Sequence, residues 1–370
     1  MIVGIPTEIK AQENRVSMIP GSVKELVTRG IRVLVQKGAG DGSSYPDELY
    51  VAAGAEIIDT ADELFEKAEM IVKVKEPQPE EVARLKPHHT LFTYLHLAAE
   101  RPLTESLMAS GCTAIAYETL TVNGRLPLLE PMSEIAGRMS AIAGANVLAK
   151  HNGGRGILLG GVPGVAPGRV VVIGGGTAGV NAARVAAGVG ADVTILEVDF
   201  DRMRFLDITM DGARTIYSSD ANLAELLPRT DLLIGAVLVP GAAAPKLITR
   251  DMLKLMQPGS VFVDIAVDQG GCATTTRATT HQDPTYVEEE VVHYCVANMP
   301  GAYARTATQA LNNVTQPWIR MMAEHGVKAA CAQRKELLSG INCIGGKLTC
   351  GPVGQAFDMP VTDPAELLNA

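Results

Sequence analysis

The chain has 370 residues, enough for two domains with substantial cores, and 47% of them are hydrophobic. A formal net charge of −9 and an aromatic content of 4% point away from a base-stacking nucleic-acid binder and from polyanionic partners in general. No apolar run reaches the roughly 20 residues that span a membrane, and the N-terminus, MIVGIPTEIK, lacks the basic flank and apolar core of a signal peptide. Six scattered cysteines without a C-x-x-C pair read as free thiols of a cytoplasmic protein, with no structural metal expected.

In chain order the first third alternates between two periodicities. Residues 1–5, 31–36, 70–75, 90–95 and 113–116 read as strands, with helices at 22–29, 45–53, 62–67, 80–85 and 103–110. This rhythm predicts a parallel sheet covered on both faces. Ligands of such open sheets bind beyond the carboxyl ends of the strands, and three strand tips carry chemistry. Arg15 lies in the loop QENRVSMIP after the first strand, Lys75 ends IVKVK, and His96 ends LFTYLH. Arginine can clamp a carboxylate through two parallel hydrogen bonds. Lysine can polarise a carbonyl oxygen, and histidine exchanges a proton near neutral pH. The set suits a small oxo acid. Taken singly, the three are more simply a solvated loop charge, a strand-end lysine and a structural histidine; their shared placement is what favours a site.

Near Pro131 the texture changes. Residues 133–150, SEIAGRMSAIAGANVLAK, predict one long helix with Ser133 as N-cap and small residues that let another helix approach closely. A Gly-rich loop over 151–168 then leads into RVVVIGGGTAGVNAARVAAGVGADVTILE at 169–197. Here a buried strand runs into Gly174-Gly175-Gly176-Thr177-Ala178-Gly179, which fits G-x-G-x-x-G, and an Ala-rich helix and a second strand follow. Gly174 allows the tight turn, Gly176 lets backbone approach a pyrophosphate, and Gly179 lets helix and strand pack closely. The helix N-terminus supplies unpaired N–H groups to the phosphates. Glu197 closes the second strand, about 20 residues past the glycines, where an acid binds ribose hydroxyls and repels a 2′-phosphate. The expectation is NAD rather than NADP.

Alternation continues with strands at 231–237 and 260–264 and a helix at 249–255. The run SVFVDIAVDQGG reads as an apolar strand ending in Asp268, which can orient a histidine, a water or a substrate ammonium. Asp264, inside the run, is the alternative of a paired structural acid. In HYCVANMPG, Asn298 and Met299 mark a turn, where Asn298 either donates its amide to a carboxylate or simply serves the turn. Residues 303–324 predict a second long helix, bent at Pro317. The fold expected is α/β, with two Rossmann-like doubly wound domains. The NAD domain (130–305) is inserted in the chain and joined by two long helices to a substrate and catalytic domain of 1–129 and 306–370. Two sequential domains are the alternative.

Taken together, VGIPTEIKAQENRVS, VKVKEP, LFTYLHLA, PMSEIAGRMS, GGGTAG, GAVLVPG, VDIAVDQGGC and YCVANMPG resemble the family that unites bacterial L-alanine dehydrogenases with the nucleotide-binding subunit of proton-translocating transhydrogenase. The resemblance covers nearly the whole chain. It implies NAD-dependent interconversion of L-alanine with pyruvate and ammonium, in a homohexamer. It further implies that Arg15 and Lys75 bind the substrate, Arg15 at its carboxylate, while Met132 and Asn298 line it. His96 and Asp268 would be the catalytic pair. Ser133, Gly174, Gly176, Thr177, Ala178, Gly179, Glu197, Arg202, Ser219, Val239, Asp268 and Met299 would fall in segments that contact NAD. The family's ribose-binding acid is often Asp, and here it is Glu197. The segment ATTTRATTHQDPTY departs from the family pattern and is assigned nothing. Competing expectations are a dehydrogenase for another small amino or 2-oxo acid and a non-catalytic NAD(H)-binding module.

Overall fold

Short aliphatic runs such as VVVI at 170–173 and LLIG at 232–235 are buried along their whole length in the computed structural model, which describes residues 1–237 and 244–369. Continuous burial of such runs marks strands covered on both faces. In chain order the strands are β1 (Val3–Ile5), β2 (Val33–Gln36), β3 (Glu56–Ile58), β4 (Met70–Val72), β5 (Thr90–Thr93), β6 (Thr113–Ala116), β7 (Arg169–Ile173) and β8 (Asp192–Glu197). They continue with β9 (Ala213–Tyr217), β10 (Leu232–Gly235), β11 (Val261–Asp264), β12 (Thr285–Glu288), β13 (Val291–Tyr294), β14 (Ile341–Ile344) and β15 (Lys347–Leu348).

The chain divides into two compact units. One takes Met1–Pro131 and the chain from Gly301 onward; the other takes the described residues from Met132 to Pro300. Among the described residues, the first unit holds an eight-stranded sheet in the order β15-β14-β6-β5-β4-β1-β2-β3. Its strands β1 to β6 are all parallel, in the doubly wound order 3-2-1-4-5-6, and β14 and β15 extend it antiparallel beyond β6. The second unit repeats the order as β9-β8-β7-β10-β11-β13, parallel throughout, with β12 antiparallel on its edge. The α/β architecture expected from the sequence is therefore present twice. The second unit is inserted: the chain enters it inside helix Glu130–Val147 and leaves it just before helix Ala304–Gln333.

Two local expectations are corrected, and the second long helix has a break that the sequence did not announce. Helix Glu130–Val147 begins ahead of Ser133, which lies inside it and is not its N-cap. Pro131 sits in the first turn, where a missing N–H breaks no intrahelical bond. The strand read through to Asp268 stops at Asp264, and Asp268 lies on a 3₁₀ turn, Ile265–Gln269. The Asp264 carboxylate accepts the Ala266 and Cys272 N–H groups at 3.0 and 2.9 Å, and this turns the chain out of the sheet. In helix Ala304–Gln333 the helical dihedrals run through Pro317 and break at Gly326 (φ 77°, ψ 161°). Pro317 and Asn313 both lie exposed, so water can take the Asn313 carbonyl that proline leaves unpaired.

Small residues on helix Glu130–Val147 do admit a neighbour. A Cβ on Gly137 would stand 2.1 Å from the Ala178 carbonyl oxygen. All six cysteines are free and buried. Among the described residues, no helix is long and apolar enough to cross a membrane.

Candidate active site

In the first unit β1, β4 and β5 are neighbours, and Arg15, Lys75 and His96 lie in the segments that follow them. Chain order reverses between β1 and β4, and that reversal is the switch point at which open α/β sheets bind ligands. Arg15 and Lys75 leave the two strands that flank it.

The loop that carries Arg15 is tied down on both sides. The Val16 N–H donates to Thr308 Oγ1 at 3.1 Å, and Ser43 Oγ donates to the Asn14 carbonyl at 2.9 Å. Arg15 is 2% exposed, and its Nε and Nη2 grip the two oxygens of Glu13 at 2.7 and 2.6 Å. That fork fixes the plane of the guanidinium. Lys75 is also buried, with Nζ 3.7 Å from Glu76 Oε2. Burial pushes the Glu76 carboxyl up, but Lys75, Lys10 and His96 outweigh it and hold its pKa below the ordinary glutamate value. Beneath them, burial disfavours the Lys73 ammonium. Glu8 and Glu81, at 2.9 and 2.6 Å, outweigh that and keep it charged. Glu8 also accepts the Val74 N–H at 2.6 Å, which steadies the backbone next to Lys75.

His96 occupies the left-handed region (φ 51°, ψ 36°) at the start of the turn Leu97–Ala99. Its ring stacks with that of Tyr94, centroids 5.8 Å apart and planes 8° apart. The Tyr94 hydroxyl donates to the Leu128 carbonyl at 2.6 Å. Burial raises the Tyr94 phenol above its ordinary range, and the Arg15 charge pulls it partly back. Tyr94 therefore stands within electrostatic reach of Arg15 while stacked on His96. The Glu118 carboxylate accepts the N–H groups of Leu95 and His96. Sequence reasoning missed Glu8, Glu13, Tyr94 and Glu118. Applying the strand-tip rule to β6 points to Glu118, which stands two residues past its end.

In the second unit the glycine loop leaves β7. Gly174 has φ 97°, a conformation other residues rarely adopt. A Cβ on Gly179 would lie 1.8 Å from the Gly174 carbonyl oxygen. A Cβ on Gly176 would meet nothing within 4 Å, and Gly176, without a side chain, is the N-cap of helix Thr177–Gly188. The open space beside Gly176 at the start of this helix fits the close approach of a dinucleotide pyrophosphate to the helix N-terminus. Glu197 Oε2 accepts the Gly175 N–H at 2.7 Å, and Arg202 Nε donates to the Gly175 carbonyl at 2.6 Å. Ser219 is the N-cap of helix Asp220–Leu226, accepting from the Asn222 N–H. Val239 lies outside the described residues.

Ser133 is half-buried, and Met132 and Met299 are buried at 6% and 2% exposure, Met299 within the unit's apolar core. Asp268 is exposed, and its two oxygens accept the Asn298 N–H at 3.2 and 3.3 Å. Asn298 also takes a left-handed conformation (φ 60°). Asp264 is a structural acid: besides two backbone N–H groups it accepts from Thr276 Oγ1 at 2.5 Å, and burial holds its pKa above the ordinary aspartate value.

Comparison with known proteins places these features in a family. Residues 4–136 match the model of the alanine dehydrogenase/PNT N-terminal domain, and residues 140–351 that of the C-terminal domain. The chain is 53% identical to alanine dehydrogenase of Mycolicibacterium smegmatis over 370 residues, all of both chains. A solved L-alanine dehydrogenase superposes with a TM-score of 0.91 at 48% identity, covering 97% of this chain and 99% of that one. A transhydrogenase from Sinorhizobium meliloti superposes at 0.79 with 26% identity, covering 95% and 99%. With a domain model matched on each part and a relative more than half identical end to end, the chain belongs to the alanine dehydrogenase/PNT family.

Proposed function

We propose that this chain is an NAD-dependent alanine dehydrogenase, which deaminates L-alanine oxidatively to pyruvate and ammonium and runs the reverse reductive amination. Residues 1–129 and 306–370 form its substrate and catalytic domain, and residues 130–305 its NAD domain. One observation carries the reading: an arginine, a lysine and a histidine lie in the segments that follow three neighbouring parallel strands, β1, β4 and β5, the set that a 2-oxo acid needs.

Arg15, its plane set by Glu13, binds the substrate carboxylate. Lys75 stabilises the pyruvate oxygen as it gains negative charge. His96 transfers the proton of the water or ammonia that adds to the reacting carbon, and Asp268 positions that water or ammonia. Met132 and Asn298 line the substrate. Bound NAD would supply the acceptor, and NADH the donor, for the hydride of the alanine Cα. Gly174, Gly176, Thr177, Ala178 and Gly179 would hold its pyrophosphate and Glu197 its ribose, with Ser133, Arg202, Ser219, Val239, Asp268 and Met299 as the remaining contacts.

The enzyme works as a homohexamer in the cytoplasm, the compartment that matches six unpaired cysteines. A solution mass other than that of six chains, or fractionation outside the cytoplasm, would remove the corresponding part. The roles are tested by His96→Ala. Turnover should fall by about 10³-fold or more while NADH affinity, followed by its fluorescence, stays within about twofold. Turnover within about tenfold of the parent would move the proton role to another group.

A further inference from the structure

We infer that Glu118 is a positioning residue for the reaction, its carboxylate holding the backbone of His96 in the conformation that presents the imidazole. The inference rests on the proton role proposed for His96.

Strands β5 and β6 pair in parallel up to Thr93↔Ala116, and one further rung joins the Tyr117 N–H to the Thr93 carbonyl at 2.9 Å. A continued parallel ladder would next take the Leu95 N–H to the Tyr117 carbonyl. It does not continue. The Leu95 N–H donates instead to Glu118, 3.1 Å from Oε1 and 3.3 Å from Oε2, and the His96 N–H donates to Oε1 at 2.6 Å. One side chain thus takes the place of the Tyr117 carbonyl for the Leu95 N–H and also accepts the next donor along the chain, the His96 N–H. Glu118 is 9% exposed, so water competes little for these bonds. A carboxylate acceptor makes them stronger than the carbonyl bond they replace.

The need for such a clamp is visible at His96. Its φ of 51° and ψ of 36° lie in the left-handed region, which a residue with a Cβ adopts at a cost. Strained backbone of this kind persists where its surroundings over-determine it. Tyr94 holds the imidazole ring by stacking, and Glu118 holds the backbone from which the ring projects. No bond from Glu118 to the imidazole is needed for this division of work. Loss of the clamp lets the Leu95-His96 peptide relax toward extended backbone, which swings the ring away from the Lys75 and Arg15 tips.

A mutant cycle on the full-length enzyme tests the assignment, using kcat for pyruvate reduction with ammonium and the fluorescence-measured Kd for NADH. Glu118→Ala should lower kcat by about 10- to 100-fold, the cost of a misplaced catalytic group, at unchanged NADH affinity. In a His96→Ala background, measured at high enzyme concentration, the same change should have an effect of less than about twofold. Glu118→Gln keeps an oxygen toward both N–H groups and should return kcat to within about fivefold of the parent. If Glu118→Ala does not fold, Glu118→Asp, one methylene shorter, carries the cycle. Equal losses in both backgrounds, or an undiminished kcat in Glu118→Ala, would overturn the inference. A His96→Ala enzyme with parental turnover would instead overturn the role of His96 itself.

Discussion

Glu197 does two things at the mouth of the glycine loop. Its Oε2 takes the Gly175 N–H, while Oε1 takes the N–H groups of Val198 and Asp199 at 2.7 and 3.1 Å. A shorter aspartate could not span to Gly175 from the same backbone, which gives a physical reason for glutamate at this position. Removing a charged acceptor costs roughly 1.5–3 kcal/mol, or about 10- to 100-fold in affinity. Glu197→Ala is expected to weaken NADH by that amount and to narrow the preference over NADPH, both read by fluorescence titration. Unchanged cofactor selectivity would remove Glu197 from the ribose site. At this scale the sequence was informative about position and silent about partners. The tips bearing Arg15, Lys75 and His96 could be found from strand ends alone. The hold of Glu118 on Leu95 and His96 was not legible, because it depends on β5 and β6 lying side by side, while Glu13 and Tyr94 act on neighbours two residues away, Arg15 and His96, and carried no pattern of their own.

Gly326 shows how an element can break where a helix-breaker is not the cause. The long helix keeps its dihedrals through exposed Pro317 and breaks at Gly326, whose φ of 77° and ψ of 161° are open to glycine almost alone. Gly326→Ala should therefore cost about 1–3 kcal/mol in chemical unfolding, while Pro317→Ala should be neutral or stabilising. A fully stable Gly326→Ala would contradict this account of the break. Core strands were legible because their aliphatic runs are buried throughout. Of the missed strands, β13 (VVHY) is buried throughout but only four residues long, and others differ in composition. In β3 and β9, at sheet edges, Glu56 and Arg214 are charged and pair across to Arg32 and Asp192, so neither reads as an apolar run. Strand β14 joins β6 from more than 200 residues away, antiparallel, and no local pattern announces such a pairing. The run through Asp268 misled in the opposite sense, since apolar residues continue past the point where Asp264 turns the chain.

At the scale of the molecule, one winding order is used twice for two tasks. In the first unit the switch point between β1 and β4 carries charged side chains suited to a small oxo acid. In the second, the loop leaving β7 carries glycines suited to a dinucleotide. That pairing of tasks is what a hydride exchange between an amino acid and a nicotinamide demands, and it separates this chain from a module that only binds NAD(H). The most direct test follows NADH absorbance with purified enzyme and pyruvate, with and without ammonium. The account expects NADH to be consumed only when pyruvate and ammonium are both present. Consumption with pyruvate alone would mark a hydroxy-acid dehydrogenase, and no consumption with both present would contradict alanine dehydrogenase activity.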